Sequence, residues 1–337
     1  MTCCSIRIEQ GTFESLADHW QHLLEECSER TFFDQLTWQK IWWSEFGGNF
    51  ELKLLVVRSD SGEISMIAPM MVDGTEISFL GSTDLVDYHD FLTRDHLPPS
   101  CMQALVGAVD DMSEIDTILL QSLPGNSPTI TQFREAAEQA GWVVEIEQED
   151  VAPRIDLPAT WDEYISGLRK KDRHELRRKL RRLEAAGDVQ QHELTDPEEI
   201  EAAMGEFTRL HRMSTPDKND FMTAEREQFF TKIAVELARE YSTRLCFLEL
   251  NGEYVATSLS FVCGDVRYLY NGGYNPAESK LSVGLLNHAL AIKSSIEKGY
   301  RVFDFMRGNE PYKYHLGGID RQVFALTASR QSSNKSK

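Results

Sequence analysis

Apolar residues follow two alternating periods along the chain, one near two residues and one near 3.6 residues, which predicts alternating strands and helices. Residues 12–46 have the helical period and are rich in aromatic residues, which predicts helices that end at Gly47. Short strand-like runs separated by DSG and DG turns then predict an antiparallel meander. A polar loop, a helix near residues 100–112, a strand, a second helix and a last strand complete this half, which we predict to be a mixed α/β unit.

The second half repeats this order of elements. A hairpin turns at Asn251-Gly252, a third strand follows, and a loop then leads to a helix that begins near Ser282. Two further strand-like runs, YRVFDFM and RQVFALTAS, lie beyond that helix. The two halves share little sequence identity, but their order of elements matches, so we predict a duplicated α/β fold with mixed sheets.

The length of 337 residues also favours two domains, because a single core seldom needs more than about 150 residues. We place the boundary near Pro153–Pro158. The expected domains are residues 1–155 and residues 156–330. The polar, aperiodic tail 331–337 is expected to be disordered.

The formal net charge of −19 makes the protein acidic, so it repels a phosphate backbone overall. We therefore expect no DNA partner, and the charge argues against tRNA as well. The six cysteines form no C-x-x-C motif and no Cys/His spacing that suits zinc, so no metal is expected. The N-terminus lacks an apolar signal region and no run of about 18 apolar residues occurs. These features predict a cytoplasmic protein without a transmembrane segment.

A basic run in this acidic chain has nine Lys or Arg residues between Gly167 and Glu184. We predict one helix over residues 161–186, docked through an apolar stripe made of Ile165, Leu168, Leu176, Leu180 and Leu183. Three interpretations stay open. The charges lie in water, or Arg173 and Arg177 clamp an anionic donor or acceptor, or the helix binds RNA or a membrane.

The helix that begins near Ser282 is a candidate anion site. Ser282 is a suitable N-cap, and Gly284 allows a ligand to approach the first turn closely. The free N–H groups of that turn can bind an anion such as a pyrophosphate. Most helix N-termini bind only water, so this feature by itself does not decide for a ligand.

The loop after the strand YRVFDFM is a second candidate site. Asp304 lies inside that apolar strand, and Arg307, Glu310, Lys313 and His315 crowd the loop beyond it. Ligand sites in α/β sheets favour the carboxyl ends of strands. From the residues alone, a functional and a structural interpretation both stay open.

The motifs of the second half resemble a known family. The pattern Y-x-x-G-Y-N-P, S-x-G-x-L-L and D-F-x-R-G-x-E-x-Y-K is similar to that of the CelD/BcsL-type acetyltransferases, which belong to the GNAT superfamily and are related to the Fem-type aminoacyl transferases. The segments FFDQLTWQKIWWSEFG, VDYHDFL and LRKKDRHELRRKLRRLE also resemble family segments. The residues that carry the motifs are Tyr270, Gly273, Tyr274, Asn275, Pro276, Ser282, Gly284, Leu285, Leu286, Asp304, Arg307, Gly308, Glu310, Tyr312 and Lys313.

The resemblance implies two tandem GNAT-like domains with a cleft between them, and an acyl-CoA as co-substrate, with acetyl-CoA the expected donor. It implies an amine or hydroxyl acceptor on a glycan, lipid-linked or cell-envelope precursor. The usual GNAT pyrophosphate loop is replaced by LSVGLL. The residues implied in donor binding are Tyr270, Gly273, Ser282, Val283, Gly284 and Leu285.

The resemblance also implies catalytic roles. In the Fem-type relatives, the lysine that Lys313 matches is thought to polarise the donor carbonyl, so we expect Lys313 to face the developing oxyanion. Asp304 or Glu310 would then accept the proton or orient the acceptor. The expected acceptor contacts are His89, Asp90, Tyr274, Arg307, Tyr312, Arg173 and Arg177.

We therefore expect an acyltransferase that works by direct transfer in a ternary complex. The sequence shows no G-x-S-x-G motif and no cysteine in a basic context that would indicate a covalent intermediate. Two alternatives stay open: a transferase that takes its acyl group from an aminoacyl-tRNA, and a non-catalytic scaffold of polysaccharide assembly.

Overall fold

A computed structural model describes residues 7–59 and 62–330. By its internal contacts the chain divides into two units, which we call unit 1 and unit 2. Unit 2 is Val151–Arg321, and unit 1 combines the chain up to Asp150 with the chain from Gln322. The expected domains 1–155 and 156–330 stay a prediction, and the expected disordered tail 331–337 lies outside the described residues.

Within the described residues, fourteen strands lie in two sheets, one in each unit. Their bounds are β1 Arg7–Gln10, β2 Glu51–Arg58, β3 Ile64–Asp73, β4 Glu76–Phe79, β5 Leu92–Thr93, β6 Thr117–Pro124, β7 Trp142–Val151, β8 Arg154–Asp156, β9 Val189–Leu194, β10 Thr243–Leu250, β11 Glu253–Cys263, β12 Val266–Tyr274, β13 Val302–Asp304 and β14 Gln322–Arg330.

The same part of the chain, residues 7–59 and 62–330, contains eleven α-helices. Their bounds are α1 Phe13–Glu26, α2 Leu36–Phe46, α3 Pro99–Asp110, α4 Thr129–Gln139, α5 Trp161–Gly167, α6 Lys170–Glu184, α7 Pro197–Ser214, α8 Pro216–Phe221, α9 Ala224–Arg239, α10 Val283–Glu297 and α11 Pro311–His315. None of the helices in the described part of the chain is both long and apolar enough to cross a bilayer.

The sheet of unit 1 has the order β1-β2-β3-β4-β6-β14-β7, with β5 beside β3. The predicted meander is present as the antiparallel pairs β2–β3 and β3–β4. The last strand, β14, pairs antiparallel with β6, so the chain returns to the first sheet after unit 2 is complete. The core of this unit packs α3 and α4 on the sheet through residues such as Leu105, Ile118 and Phe133.

The sheet of unit 2 has the order β8-β13-β12-β11-β10-β9. The strands β9 to β12 form antiparallel neighbours, β13 lies parallel to β12, and β8 closes the other edge. On one face α10 buries Ala289 and Ile292, and Leu248 and Phe303 of the sheet pack into the same core. Both sheets mix parallel and antiparallel pairs, so the predicted mixed α/β class is confirmed.

The predicted single helix over residues 161–186 is wrong, because two helices occupy this stretch. Leu168 and Arg169 are extended, with ψ angles of 150° and 141°. Leu168 is buried in the core of unit 2, and Arg173 donates hydrogen bonds to the carbonyl oxygens of Ser166 (2.8 Å) and Leu168 (3.4 Å). The guanidinium thus satisfies carbonyl groups that the break leaves without helical partners.

Candidate functional site

The parallel strands β12 and β13 stay together for only three residue pairs, from Val266–Val302 to Tyr268–Asp304. Strand β13 ends there, whereas β12 continues to Tyr274. An irregularity in the β11–β12 pairing lies at the same level, since Ser260 pairs with Leu269 while Leu259 pairs with Asn271. The two strands therefore part in the middle of the sheet. This edge of β12 holds backbone groups that β13 does not pair with.

One such group is bound by a lysine. The carbonyl oxygen of Gly272 accepts a hydrogen bond from Nζ of Lys218, which reaches it from α8. Burial lowers the pKa of Lys218 to about 8, and the opposite charge of Glu310 works against that shift. Gly272 is the one hydrogen-bond acceptor of this ammonium in the part of the chain that the structure describes. An ammonium has three N–H donors, so it retains capacity to face a ligand.

A histidine lies on the other side of Gly272. A Cβ atom on Gly272 would lie 3.2 Å from Cε1 of His288, which belongs to the second turn of α10. The imidazole stacks on the ring of Tyr312, with 5.2 Å between centroids. Burial lowers the pKa of His288 to about 3, and the positive charges of Lys218, Lys313 and Arg267 add to this effect. The ring is therefore neutral near pH 7, and its buried Nδ1 has no hydrogen-bond partner among the described residues.

Tyr312 belongs to α11 and is predicted to bind the acceptor. Burial raises the pKa of its phenol, and the charge of Glu310 raises it further. Phe305 meets the same ring edge-on at 6.1 Å. The structure thus brings Tyr312 together with His288, Lys218 and Glu310 around the place where the strands part.

Lys313, the predicted oxyanion partner, has other contacts. Its Nζ donates to the carbonyl oxygens of Met306 (3.0 Å), Arg307 (2.5 Å) and Gly308 (3.0 Å). It also lies 2.9 Å from Oε2 of Glu310, and the side chain is 2% exposed. Three carbonyl groups use all the N–H donors of one ammonium. Lys313 could face a donor carbonyl only if it gave up one of these contacts.

Asp304 stabilises the same turn. Its side chain is buried, and Oδ1 accepts a hydrogen bond of 2.7 Å from the backbone N–H of Met306. Met306 has a φ angle of +64°, which is unusual for a residue with a side chain. Arg307 takes part through its carbonyl oxygen, which accepts from Lys313. Glu310 differs from Asp304 in that its side chain is 55% exposed, so it can meet a ligand from solvent.

Two of the predicted donor-binding residues have packing contacts in unit 2. A Cβ atom on Gly273 would lie 2.4 Å from Cα of His211, so the glycine allows α7 to lie against β12. Tyr270 stacks on Phe230 of α9 with 5.3 Å between ring centroids. Whether either one also touches a donor stays a prediction.

The first turn of α10 is flanked by two cations of α6. Ser282, at its N-cap, has a left-handed φ of 60°, and its Oγ accepts hydrogen bonds from Lys179 (2.6 Å) and Arg182 (3.4 Å). Burial lowers the pKa of Lys179. Val283 is buried, and a methyl group on Gly284 would lie 3.0 Å from Cδ1 of Tyr274.

A cavity of about 270 Å³ adjoins this turn. It lies between α6, α10 and α11, and its lining includes the apolar side chains of Leu176, Leu285 and Leu316 and the cations Lys171 and Lys179. A helix N-terminus with two adjacent cations favours a dianionic group such as a pyrophosphate. Arg173 and Arg177, the predicted clamp residues, do not take this position: Arg173 binds the carbonyls at the end of α5, and Arg177 is exposed.

His89 and Asp90, predicted to contact the acceptor, lie in unit 1. They line a small cavity of about 40 Å³ together with Asp34 and Tyr88. His89 stacks on Phe79 at 5.3 Å, and Oδ1 of Asp90 accepts a hydrogen bond of 2.6 Å from Thr129. Burial raises the pKa of Asp90. Burial also raises the pKa of Asp34 to about 7, although the hydrogen bonds from Thr31 act to lower it.

Sequence reasoning missed four residues of this site: Lys179, Arg182, Lys218 and His288. A signal existed for His288, which interrupts the apolar helix that follows Ser282. Lys218 lies in the polar stretch TPDKND, and nothing there indicates that it reaches Gly272. Within residues 7–59 and 62–330, no cluster of three His, Cys, Asp or Glu side chains is arranged to hold a metal ion.

Comparison with known proteins agrees with the architecture of unit 2. Residues 170–314 match the family model Acetyltransf_6, described as an acetyltransferase (GNAT) domain. This segment includes the parting strands, α10 and the loop up to Lys313. No protein of curated function matches the chain.

Three solved structures show the fold over the whole chain. A FemX crystal structure is 11% identical with a TM-score of 0.66, covering 95% of this chain and 96% of its own. L-PGS from Bacillus licheniformis is 13% identical with a TM-score of 0.59, and the match covers 95% of this chain and 92% of L-PGS. A tandem GNAT protein from the clavulanic acid biosynthesis pathway is 12% identical with a TM-score of 0.53, and the match covers 98% of this chain and 100% of that protein. At these identities the likeness concerns the fold alone, and it confirms the predicted GNAT-like class.

Proposed function

We propose that this protein is an acyltransferase of the CelD/BcsL type that uses an acyl-CoA, with acetyl-CoA the expected donor. The observation that carries the proposal is the pair Lys179 and Arg182 at the first turn of α10, inside the segment that matches a GNAT domain. Two cations beside free helical N–H groups suit the pyrophosphate of CoA. The adjoining cavity, lined in part by Leu176 and Leu285, offers room for another part of the donor.

The acyl group is proposed to lie where β12 parts from β13. Acyl transfer then needs a group that stabilises the negative charge on the carbonyl oxygen. We assign this role to the ammonium of Lys218, because Lys313 is engaged by three carbonyl oxygens. Near pH 7 a lysine with a pKa of about 8 is mostly protonated and can serve as this cation.

The acceptor is proposed to attack directly within a ternary complex. Its amine or hydroxyl forms a bond to the acyl carbon, the C–S bond to CoA breaks, and the proton of the acceptor passes to Glu310. Glu310 suits this role because its carboxylate is exposed and interacts with Lys218 through space. The stacked rings of His288 and Tyr312 form an aromatic wall beside the reacting groups. We propose a glycan, lipid-linked or cell-envelope precursor as acceptor.

Calorimetric titration tests the donor. The panel is CoA, acetyl-CoA, a long-chain acyl-CoA and pantetheine, which lacks the phosphates. We expect saturable binding of the three CoA compounds, and at least tenfold weaker CoA binding in the double variant Lys179→Met, Arg182→Met. Pantetheine should bind weakly and equally to both proteins.

Arg178→Met is the matched control, because Arg178 lies on the same helix but pairs with Glu175 at 2.7 Å. It should bind CoA like the unmodified protein. If no compound of the panel binds, the acyl-CoA proposal is wrong, and an aminoacyl-tRNA donor or a scaffold role remains.

A further inference from the structure

The outer side of α6 has a row of basic residues that the acyl-donor site does not use. Lys170, His174, Arg177 and Arg181 follow the spacing i, i+4, i+7 and i+11, so they share one side of the helix within about 60°. We call these four residues the basic row. Lys170, His174, Arg177 and Arg181 are all exposed.

The basic row points away from the core of unit 2, the unit to which α6 belongs. Leu176 and Leu183, which dock α6 into the core of that unit, are 3% and 2% exposed. On a helix with 100° per residue they lie roughly 130–150° from the middle of the row. Lys179 and Arg182, which bind Ser282, also lie outside the row. The row is therefore a separate surface.

The cations of the row have no acidic partner. Among the described residues, Lys170, Arg177 and Arg181 take part in no ion pair, and Nε of Arg181 donates to the carbonyl oxygen of Arg177 (3.3 Å). Like charges four residues apart, as in Arg177 and Arg181, destabilise a helix. On α7 and α9, by contrast, Arg209 pairs with Glu206 (2.5 Å) and Arg239 with Glu236, each one turn away.

This difference stands out in a chain with 54 acidic and 35 basic residues. Acidic side chains are plentiful, and Glu184 lies one turn after Arg181, yet none of the described acids forms an ion pair with a cation of the row. The repulsion within the row is relieved when an external polyanion covers it. Two classes of polyanion fit a straight cationic line of this kind, an anionic lipid surface and a nucleic acid.

The observations favour the lipid surface. Helix α6 has no Phe, Tyr or Trp on which an unpaired base could stack. Near its start, an exposed aliphatic residue, Ile319 (66% exposed), lines the same surface cavity as Arg169. Clusters of basic residues attract an anionic lipid surface, and an exposed apolar side chain can add to such binding.

We propose that the basic row docks the protein on a membrane surface rich in anionic phospholipid. The charge of −19 does not prevent this, because exposed charges farther from the bilayer than the Debye length of about 8 Å at physiological salt are largely screened. Only the nearest charges, those of the row, then act on the surface. The proposal is independent of the proposed acyl transfer.

Flotation of the full-length protein with lipid vesicles tests the proposal. Vesicles of phosphatidylcholine alone are compared with vesicles that contain about 30 mol % phosphatidylglycerol, in about 0.1 M salt. We expect binding to the anionic vesicles only, and release in about 0.5 M salt. The triple variant Lys170→Gln, Arg177→Gln, Arg181→Gln should bind about 100-fold more weakly.

The matched control is Arg209→Gln, Arg239→Gln, Lys293→Gln, which removes the same charge from three exposed positions on other helices. It should bind like the unmodified protein. Circular dichroism checks that both triple variants fold. The proposal is overturned if the protein ignores anionic vesicles, or if both variants lose binding equally. It is also overturned if a transfer RNA binds through the row while vesicles do not.

Discussion

Nζ of Lys313 lies 3.0 Å from the carbonyl oxygen of Met306, a residue that the chain holds at a φ of +64°. The same ammonium binds the next two carbonyls, so it holds the turn between β13 and α11 in place. Sequence motifs alone had suggested that this lysine faces a substrate. Its burial and its contacts favour a structural role, and this difference can be measured.

Lys313→Met should unfold more easily, because it leaves three carbonyl groups in a buried turn without their donor. We expect a loss of about 3 kcal/mol in the free energy of unfolding, measured with urea. Glu310→Gln is the control: the carboxylate that it removes is 55% exposed, and three carbonyl groups still bind Lys313, so the loss should stay within about 1 kcal/mol. A stable Lys313→Met protein that has lost only its activity would instead support the catalytic role.

Lys218→Met should lower the activity and leave the stability unchanged, which is the opposite of the effect expected for Lys313→Met. We expect unchanged stability within about 1 kcal/mol, unchanged CoA affinity, and a loss of about 10²–10³-fold in thiol release from acetyl-CoA with a panel of amine and hydroxyl acceptors. Asp217→Asn is the control, because Asp217 is exposed and lies next to Lys218 on the same helix. If Lys218→Met keeps full activity, the carbonyl oxygen is stabilised by another group.

The pH dependence of the same reaction follows from the lowered pKa of Lys218. A lysine with a pKa of about 8 loses its positive charge as the pH rises through that value, well below the usual 10.5. If the ammonium stabilises the oxyanion, the rate should fall above pH 8, and Lys218→Arg should remove this fall because arginine stays charged. A rate that instead rises through pH 8 in the unmodified protein would indicate that Lys218 acts as a base.

Much of the fold could be predicted from the sequence, because its longer elements have clear periods. The hairpin of β10 and β11 turns at the predicted Asn251-Gly252, and the predicted helix after Ser282 is present as α10, which buries Ala289, Ile292 and Ile296. Short elements such as β8 and α11, of three and five residues, have too few positions to show a period. The return of β14 to the first sheet depends on pairing over some 200 residues, which no local pattern specifies.

The candidate site was predicted in part. The motif residues Tyr312 and Glu310 do lie beside the parting strands, since Tyr312 stacks on His288 and the charge of Glu310 acts on Lys218. Lys218 could not be found, because the role that we propose for it depends on a contact with Gly272, 54 residues away along the chain. On α6 the sequence favoured Arg173, whereas Lys179 contacts Ser282, because no local pattern specifies which side of the helix faces α10.

The contact between Asp172 and His315 should make stability depend on pH. Oδ1 of Asp172 lies 2.9 Å from Nδ1 of His315, and Oδ2 lies 2.7 Å from Nε of Arg169. Burial alone would raise the pKa of this carboxyl, but the hydrogen bonds from His315 and Arg169 outweigh burial and lower it. A lowered pKa in the folded state means that the carboxylate contributes stability above its ordinary value of 3.8.

That contribution should disappear as the pH falls through the lowered pKa. We therefore expect Asp172→Asn to be less stable than the unmodified protein by on the order of 1 kcal/mol at pH 7, because both partners are largely exposed. The difference should shrink toward zero as the pH falls below 3.8, measured by urea unfolding along a pH series. A difference that stays constant down to the lowest pH would mean that packing, and not charge, holds Asp172.

Gly273 and Gly205 offer a paired test of how closely α7 packs on β12. A methyl group on Gly273 would lie 2.4 Å from Cα of His211, where only backbone can move, so Gly273→Ala should cost about 3 kcal/mol of unfolding free energy or more. Gly205 lies on the exposed side of α7 with nothing within 4 Å of such a methyl group. Gly205→Ala should therefore stabilise the protein by about 0.5–1 kcal/mol through helix propensity alone. Equal losses in both variants would mean that α7 itself, and not its contact with β12, sets the requirement for glycine.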